Sequence, residues 1–358
     1  MTRRHIHIGL MVAAILGGLG VWRMSGVQLT TSASVEDQTA QAAPVAAAPL
    51  QPAPLRARFS IRYKGLESPF SVSSVLLMPG EGLTFEAVSD SPSAVYSVEA
   101  VSGLLTQQDA SQWSWTAPLQ SGIYPVQITR AGALPSSITL NALVKMPHRP
   151  SQSAINGYPI GYYPKRPYRN NPVYLIPEGL VEVTEANQDT PLTPHFRLGQ
   201  FVCKQEAGFP KYVVLNERLL LKLELILEEM NRAGHRIDTF QIMSGYRTPA
   251  YNKSLKNVQY SLHQWGVAAD IYVDQSPRDE FMDDLNKDGR IDYRDAQVIS
   301  SVIARMDQTA DFQPYKGGLG GYKTGKFGPF VHVDVRGWDA RWGVQPKLQS
   351  GVTTVALR

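Results

Sequence analysis

Polar and apolar residues alternate in short runs through residues 57–146. Examples are Arg58-Phe59-Ser60-Ile61-Arg62-Tyr63, Gly82-Leu83-Thr84-Phe85-Glu86-Ala87, Gly122-Ile123-Tyr124-Pro125-Val126-Gln127-Ile128 and Ser137-Ile138-Thr139-Leu140. A period of two sends successive side chains to opposite faces of a strand, and turn signals such as Pro79-Gly80-Glu81-Gly82 separate the runs. Strands at this spacing predict a small all-β sandwich, of which an immunoglobulin-like arrangement is one form. The period changes further on. Leu219, Leu223, Ile226, Leu227 and Met230 recur at helical spacing, with Asn216 placed to cap the helix and Gly234 to end it. Thr239-Phe240-Gln241-Ile242-Met243 then reads as a strand, and Gly245 and Pro249 turn the chain. Mixed helix and strand over residues 191–345 predict an α+β domain.

Outside these two blocks the patterns lapse. Ile8 to Trp22 is an apolar run behind Arg3 and Arg4, short for a full membrane span and long for a signal core. Residues 1–30 are therefore expected to be an uncleaved inner-membrane anchor or, as the second reading, a cleaved signal peptide. Either exports the rest of the chain to the periplasmic side of the cell envelope. Residues 31–56 are rich in Ala, Pro and Gln without an apolar period, which predicts an extended spacer. Residues 147–190 are rich in Pro, Tyr and Asn and read as a connector laid over a neighbouring domain. Tyr162, Tyr163, Tyr168 and Tyr174 would form a wall there, with packing favoured over ligand contact. Residues 346–358 form a tail.

Composition narrows the function classes. The 358 residues are 43% hydrophobic and 18% charged, enough for a substantial core in two or three domains. A net charge of +4, without a basic run interleaved with aromatics, excludes nucleic acid as the expected partner. Cys203 is the single cysteine, so no intramolecular disulfide forms, and its apolar neighbours favour a packing role.

The chemistry is concentrated in two stretches. In Ser261-Leu262-His263-Gln264-Trp265-Gly266-Val267-Ala268-Ala269-Asp270-Ile271, Gly266 allows a sharp turn between His263 and Asp270. Strand alternation sets Ala268, Asp270 and Tyr272 on one face, and an aspartate among small apolar residues calls for a compensating cation. In Phe330-Val331-His332-Val333-Asp334-Val335-Arg336, the same alternation puts His332, Asp334 and Arg336 on one face and the valines on the other. Two histidines and one carboxylate leave a fourth position open, as catalytic zinc requires.

With Ser244-Gly245-Tyr246-Arg247-Thr248-Pro249, these stretches form a set that resembles the LAS metallopeptidases, the family of lysostaphin, D-Ala-D-Ala peptidases and sonic hedgehog. The resemblance is to the D-Ala-D-Ala carboxypeptidase and murein endopeptidase branch and covers roughly residues 190–345. It implies an α+β LAS-type fold with Zn2+ on His263, Asp270 and His332, acting on peptidoglycan peptides. It also implies an Arg247 that stabilises the oxyanion, against the plainer reading of a structural ion pair. Tyr246 and Asn252 are candidates to shape the substrate site, with packing equally open to them. Ser261 either bonds near the metal or caps the turn. Several branches carry a general-base carboxylate three residues before the last histidine, where this chain has Pro329. Asp334 is the substitute, either as base or as a carboxylate that orients His332.

Two further motifs stand apart. Asp284-Leu285-Asn286-Lys287-Asp288-Gly289-Arg290-Ile291-Asp292-Tyr293-Arg294-Asp295 follows the EF-hand loop pattern, with Asp284, Asn286, Asp288, the Arg290 carbonyl, Asp292 and Asp295 as Ca2+ ligands. Helices are expected on both sides, from Phe281-Met282 before it and from Ala296 to Met306 after it. Gly317-Gly318-Leu319-Gly320-Gly321-Tyr322 lacks the context of a nucleotide loop and reads as a flexible rim that admits an extended peptide. Three function classes remain: an exported zinc peptidase of the cell wall, a catalytically silent zinc-containing binding module, and a structural envelope protein whose β-domain does the work.

Overall fold

The computed structural model describes residues 55–91 and 93–346, so the expected membrane segment, nearly all of the spacer and nearly all of the tail lie outside the described residues. Among the described residues no helix is long and apolar enough to cross a membrane.

Nine strands come first: β1 (Arg56–Tyr63), β2 (Leu66–Phe70), β3 (Val72–Leu77), β4 (Gly82–Val88), β5 (Tyr96–Ala100), β6 (Leu104–Gln107), β7 (Gln112–Thr116), β8 (Gly122–Arg130) and β9 (Ser136–Val144). They form two sheets, ordered β2-β1-β4-β7-β6 and β3-β9-β8-β5, with β3 and β9 parallel. Phe59, Ile61 and Tyr63 of β1, Phe85 of β4 and Trp113 and Trp115 of β7 meet Val75, Val126, Ile128 and Leu140 of the second sheet in one buried core. Alternate residues of each strand therefore fill the space between the sheets, as a sandwich requires.

Strands β3 and β9 are buried on both faces. Val75 and Leu77, with Ile138, Leu140, Ala142 and Val144, point into the sandwich, whereas Leu76 and Leu143 join the core of the C-terminal half. The polar residues of this second face are matched to it. Ser74 Oγ donates to the Leu192 carbonyl at 2.7 Å, Asn141 Nδ2 donates to the Pro191 carbonyl at 2.8 Å, and the Leu76 N–H donates to Glu217 Oε1 at 3.0 Å. The sandwich expected from the alternation is thus welded to its neighbour through one face.

The connector runs through three two-residue strands, β10 (Met146–Pro147), β11 (Ala154–Ile155) and β12 (Tyr158–Pro159), to β13 (Gly179–Val183), which pairs with β14 (Lys211–Val213). Ile155, Tyr158, Ile160, Tyr163 and Tyr174 are buried in the C-terminal core, while Tyr162 remains 65% exposed. Helix α1 (Glu217–Arg232) starts where the Asn216 side chain accepts the Arg218 N–H, and it buries Leu219, Leu223, Ile226, Leu227 and Met230 as the spacing predicts. The short α2 (Pro249–Ser254) and the longer α3 (Tyr293–Met306) complete the helices of the described residues. A five-stranded sheet lies at the centre, ordered β15-β16-β18-β17-β19, from β15 (Gln241–Ser244), β16 (Ala268–Tyr272), β17 (Gly318–Tyr322), β18 (Phe330–Asp334) and β19 (Ala340–Gly343).

The glycine-rich stretch is strand β17 rather than a flexible rim. A Cβ on Gly320 would come 2.3 Å from Trp342 Nε1, and one on Gly318 would come 2.4 Å from Asp334 Oδ2. The glycines keep the strand bare so that an indole and a carboxylate can lie across it.

Because β3 and β9 serve two cores, Leu143→Ala is expected to cost about 2–5 kcal/mol in urea unfolding. Both halves should unfold in one transition followed by tryptophan fluorescence, and two separate transitions would show that the shared face does not couple them.

Candidate metal centre

One rung of the central sheet carries the site. Ser244 of β15 lies opposite Asp270 of β16, Asp270 opposite His332 of β18, His332 opposite Gly320 of β17, and Gly320 opposite Trp342 of β19. Residues that share a rung send their side chains to the same face. His263 reaches that face from a 3-10 turn, Leu262–Trp265, which ends at Gly266 with φ of 65°. A Cβ on Gly266 would come 2.2 Å from the Val214 carbonyl oxygen, so the turn is closed to any other residue.

His263 Nε2, His332 Nδ1 and Asp270 Oδ1 form a buried triangle with sides of 3.2, 2.8 and 3.3 Å. Among the described residues these three side chains are the only group of three or more His, Cys, Asp or Glu placed to share a metal ion. Their outward hydrogen bonds decide what the inner atoms are. His263 Nδ1 lies 2.7 Å from the Gly245 carbonyl, which can only accept, so Nδ1 carries the proton and Nε2 a bare lone pair. His332 Nε2 lies 3.3 Å from Asp334 Oδ2, so a neutral His332 carries its proton there and presents a lone pair at Nδ1. Three acceptors would then face one another, an arrangement that needs a positive charge between them.

A proton or a metal can meet that need. In the protonated form, burial pulls the His332 pKa down, but hydrogen bonds with Asp270 and Asp334 outweigh it and hold the group at about 9. Burial lowers the pKa of His263 against the pull of Asp270. Burial pushes the Asp270 carboxyl up, yet His263 and His332 hold it well below the usual carboxylate range. The donor set also fits zinc: three ligands of a tetrahedral ion at about 2.0–2.2 Å lie roughly 3.3 Å apart.

The outer groups fix the orientation of each ligand. Arg247 Nη2 donates to Asp270 Oδ2 at 2.5 Å and its Nε to Ser244 Oγ at 2.7 Å, which turns Oδ1 inward. Arg247 is therefore bound to the Asp270 carboxylate, the ion pair that is the plainer of its two readings. Asp334 is fully buried on the far side of His332, with donors all round it. The Gly318 N–H reaches Oδ1 at 2.7 Å, and Arg336 grips both oxygens with Nε at 3.0 Å and Nη2 at 2.6 Å. Burial raises the Asp334 pKa, but hydrogen bonds from His332 and Arg336 hold it well below the usual carboxylate range. A carboxylate so occupied is placed to orient His332, the second of its two readings. Lys222, buried in α1 and pushed down by burial to about 8, donates to the backbone carbonyls of Asp334 and Tyr315 at 2.9 and 3.0 Å.

Tyr246 is 1% exposed, and its hydroxyl lies 2.8 Å from that of Tyr163, which donates to the Gln264 carbonyl at 3.0 Å. It supports the His263 turn from behind instead of lining a substrate surface. Ser261 is half-buried at the start of that turn, where its carbonyl accepts the Gln264 N–H at 3.1 Å. Asn252 is also buried, its Nδ2 on the Val258 carbonyl. The sequence reading missed Trp342, whose ring centroid lies 5.1 Å from that of His332 and whose Nε1 donates to Tyr322 Oη at 2.9 Å. The glycines of β17 were its signal, since bare backbone beside a ligand strand implies a large neighbour.

The acidic loop is organised around its own backbone. Asp284 accepts the Asp288 and Gly289 N–H groups at 3.2 and 2.8 Å, Asn286 Oδ1 accepts Asp288 N–H at 2.8 Å, and Asp288 Oδ1 accepts Arg290 N–H at 3.0 Å. Asp295 is buried and accepts the Asn286 and Asp292 N–H groups at 3.2 and 2.8 Å, forming a capping box with Asp292 at the start of α3. The helix expected before the loop does not form. Met282 N–H goes to the Phe327 carbonyl and Asp283 N–H to that of Val273, which ties the segment to its neighbours.

No protein-family model and no curated protein matches this chain. Among solved structures, a nucleoside hydrolase-related hypothetical protein from Saccharophagus degradans, associated with carbohydrate metabolism, is similar over 25% of this chain and 26% of that one. The identity is 11% and the TM-score 0.21, so the likeness carries no argument about fold or activity.

If Asp334 acts by orienting His332, Asp334→Asn should weaken zinc binding about 10–100-fold, measured by competition with a chromogenic chelator. His263→Ala should remove binding altogether. Unchanged zinc affinity in Asp334→Asn would deny Asp334 that role.

Proposed function

We propose that the chain is a zinc-dependent peptidase that hydrolyses peptide bonds of peptidoglycan stem peptides or cross-links, in the manner of the LAS metallopeptidases it resembles. The observation that carries this reading is the triangle of His263 Nε2, His332 Nδ1 and Asp270 Oδ1, three buried acceptors whose outer hydrogen bonds turn them toward one point. Zinc held there would supply Lewis acidity and a water acidified toward neutrality. The chain's own residues supply orientation: Arg247 and Ser244 set Asp270, Asp334 with Arg336 sets His332, and the Gly245 carbonyl sets His263. The Trp342 indole beside His332 shields one flank from water.

One observation favours a second reading, a zinc-containing protein of the envelope that binds without turnover. Pro329 stands where several branches of the resembled family carry their base, and both oxygens of Asp334 are taken by donors. Calcium at residues 284–295 also stands as a proposal, supported by the EF-hand spacing of Asp284, Asn286 and Asp288, whose side-chain oxygens accept the loop's own N–H groups.

Two experiments test these readings. Zinc-loaded protein is expected to release fragments from purified peptidoglycan, identified by mass spectrometry, and His332→Ala to release none. Stoichiometric zinc without release of any fragment would select the binding protein. For the loop, 1 mM calcium should raise the Tm by several degrees in wild type and leave Asp284→Ala unmoved. A wild-type Tm indifferent to calcium would reduce the loop to a self-capped turn.

A further inference from the structure

Tyr272 follows Asp270 by two residues on β16, so both side chains stand on one face of the central sheet, the face of the metal rung. From β15, Ser244 lies opposite Asp270 and Gln241 opposite Tyr272. Over this part of the sheet is a cavity of about 750 Å³, walled by Ser244, Arg247 and Tyr272 together with Lys204, Tyr251 and Phe327. Arg247 holds the outer oxygen of Asp270, so the cavity borders the metal centre through that guanidinium.

The two ends of the cavity differ in chemistry. At the Arg247 end, Cys203 Sγ accepts the Thr248 N–H at 3.5 Å and the Gln205 side chain lies 2.7 Å from Thr248 Oγ1. Lys204, between these two, is exposed on the cavity wall. Among the described residues its ammonium has no hydrogen-bond or ion-pair partner. Arg247, next to Thr248, spends Nε on Ser244 and Nη2 on Asp270, and its Nη1 has no acceptor among the described residues. Two cations with donors to spare favour an anion that both can reach. The other end is aromatic. Phe327 stacks on Tyr272 with ring centroids 5.7 Å apart, and Lys326 Nζ lies 4.8 Å from the Phe327 centroid. The acids of the cavity are at this end too: Asp274 accepts the N–H groups of Asp279 and Glu280, and Tyr272 Oη donates to the Glu280 carbonyl.

We propose that this cavity is a carboxylate-reading subsite: a peptide lies over the sheet face with a carboxylate between Lys204 and Arg247 and its apolar side on the Tyr272–Phe327 pair. Lys204 is the discriminating residue, because Arg247 already serves Asp270 and Ser244. Asp274 and Glu280 at the far end disfavour the reversed peptide, which would bring its carboxylate to them. A stem peptide offers this chemistry twice, at its C-terminus and at the α-carboxylate of its γ-linked D-Glu. The inference rests on the peptidase reading for its substrate class, and on the cavity and its two cations for its geometry.

The test uses full-length zinc-loaded protein and three peptides: the stem pentapeptide L-Ala-γ-D-Glu-L-Lys-D-Ala-D-Ala, its C-terminal amide and its D-isoglutamine form. At least one amidation should raise the calorimetric Kd about tenfold, which tells the two carboxylates apart. Lys204→Gln should raise the Kd of the unmodified peptide by a similar factor and leave that of the affected amide unchanged, with zinc content intact. Phe327→Ala should raise the Kd of all three peptides about fivefold. This pattern without hydrolysis would sink the peptidase and leave the subsite standing. Hydrolysis with an unaltered KM in Lys204→Gln would leave the peptidase and overturn the subsite. Equal affinity for all three peptides, wild-type affinity in Lys204→Gln or Phe327→Ala, or no binding at millimolar peptide would each overturn it as well.

Discussion

Three lone pairs that point at one another are the constraint on which the centre of this protein depends. Left alone, Asp270, His263 and His332 would repel, since each inner atom is an acceptor and water is largely excluded. The surrounding structure makes that arrangement compulsory. Gly245 offers His263 only a carbonyl, Asp334 offers His332 only a carboxylate, and Arg247 takes the outer oxygen of Asp270. A positive charge at the inner point then stabilises the whole set. Burial makes a proton costly on His263, so the two histidines respond in opposite directions. A divalent ion satisfies all three acceptors at once, which a single proton cannot do.

The rung from Ser244 to Trp342 explains why this centre sits on a sheet. Adjacent strands hold Asp270 and His332 at a fixed separation without any side-chain network to set it. The next strand contributes no side chain at that level, because Gly320 is bare, and the space goes to the Trp342 indole. The edge strand contributes Ser244, a short side chain that steadies Arg247. Each position on the rung thus has a size as well as a chemistry.

Much of this was legible in the sequence, and the limits have physical causes. Alternation through Val331, His332, Val333 and Asp334 fixes a face, and the turn at Gly266 brings His263 back toward it, so the grouping of His263, Asp270 and His332 could be read. A face says nothing about which nitrogen of His332 meets Asp334, or that Gly318 and Arg336 also donate to that carboxylate. The β17 glycines read as a flexible rim because their partner, Trp342, follows only after the intervening strand β18. The acidic loop shows a related ambiguity: carboxylates that can bind a cation also accept N–H groups, and spacing alone does not distinguish them. The alternation in β9 is among the runs that predict a sandwich, and β3 pairs beside it. Their second buried face was hidden because Ser74 and Asn141 look solvent-facing until Leu192 and Pro191 supply the carbonyls.

That second face bears on what the sandwich is for. The Leu76 N–H of β3 binds Glu217 in the first turn of α1, and Lys222, further along the same helix, binds the carbonyls of Asp334 and Tyr315. A rigid helix therefore joins the sandwich to the strand that carries His332. Continuity of this kind supports a site without implying that it transmits a signal, since signalling requires an element with two arrangements and α1 is packed along its length. Removing the amino group of Lys222 would leave the buried Asp334 and Tyr315 carbonyls unpaired beside the strand of His332, at a cost of about 1–3 kcal/mol each. A buried lysine held near pH 8 is tolerated in exchange for a strand that cannot shift under His332. The β-domain is thus a buttress for the sheet that carries Asp270 and His332.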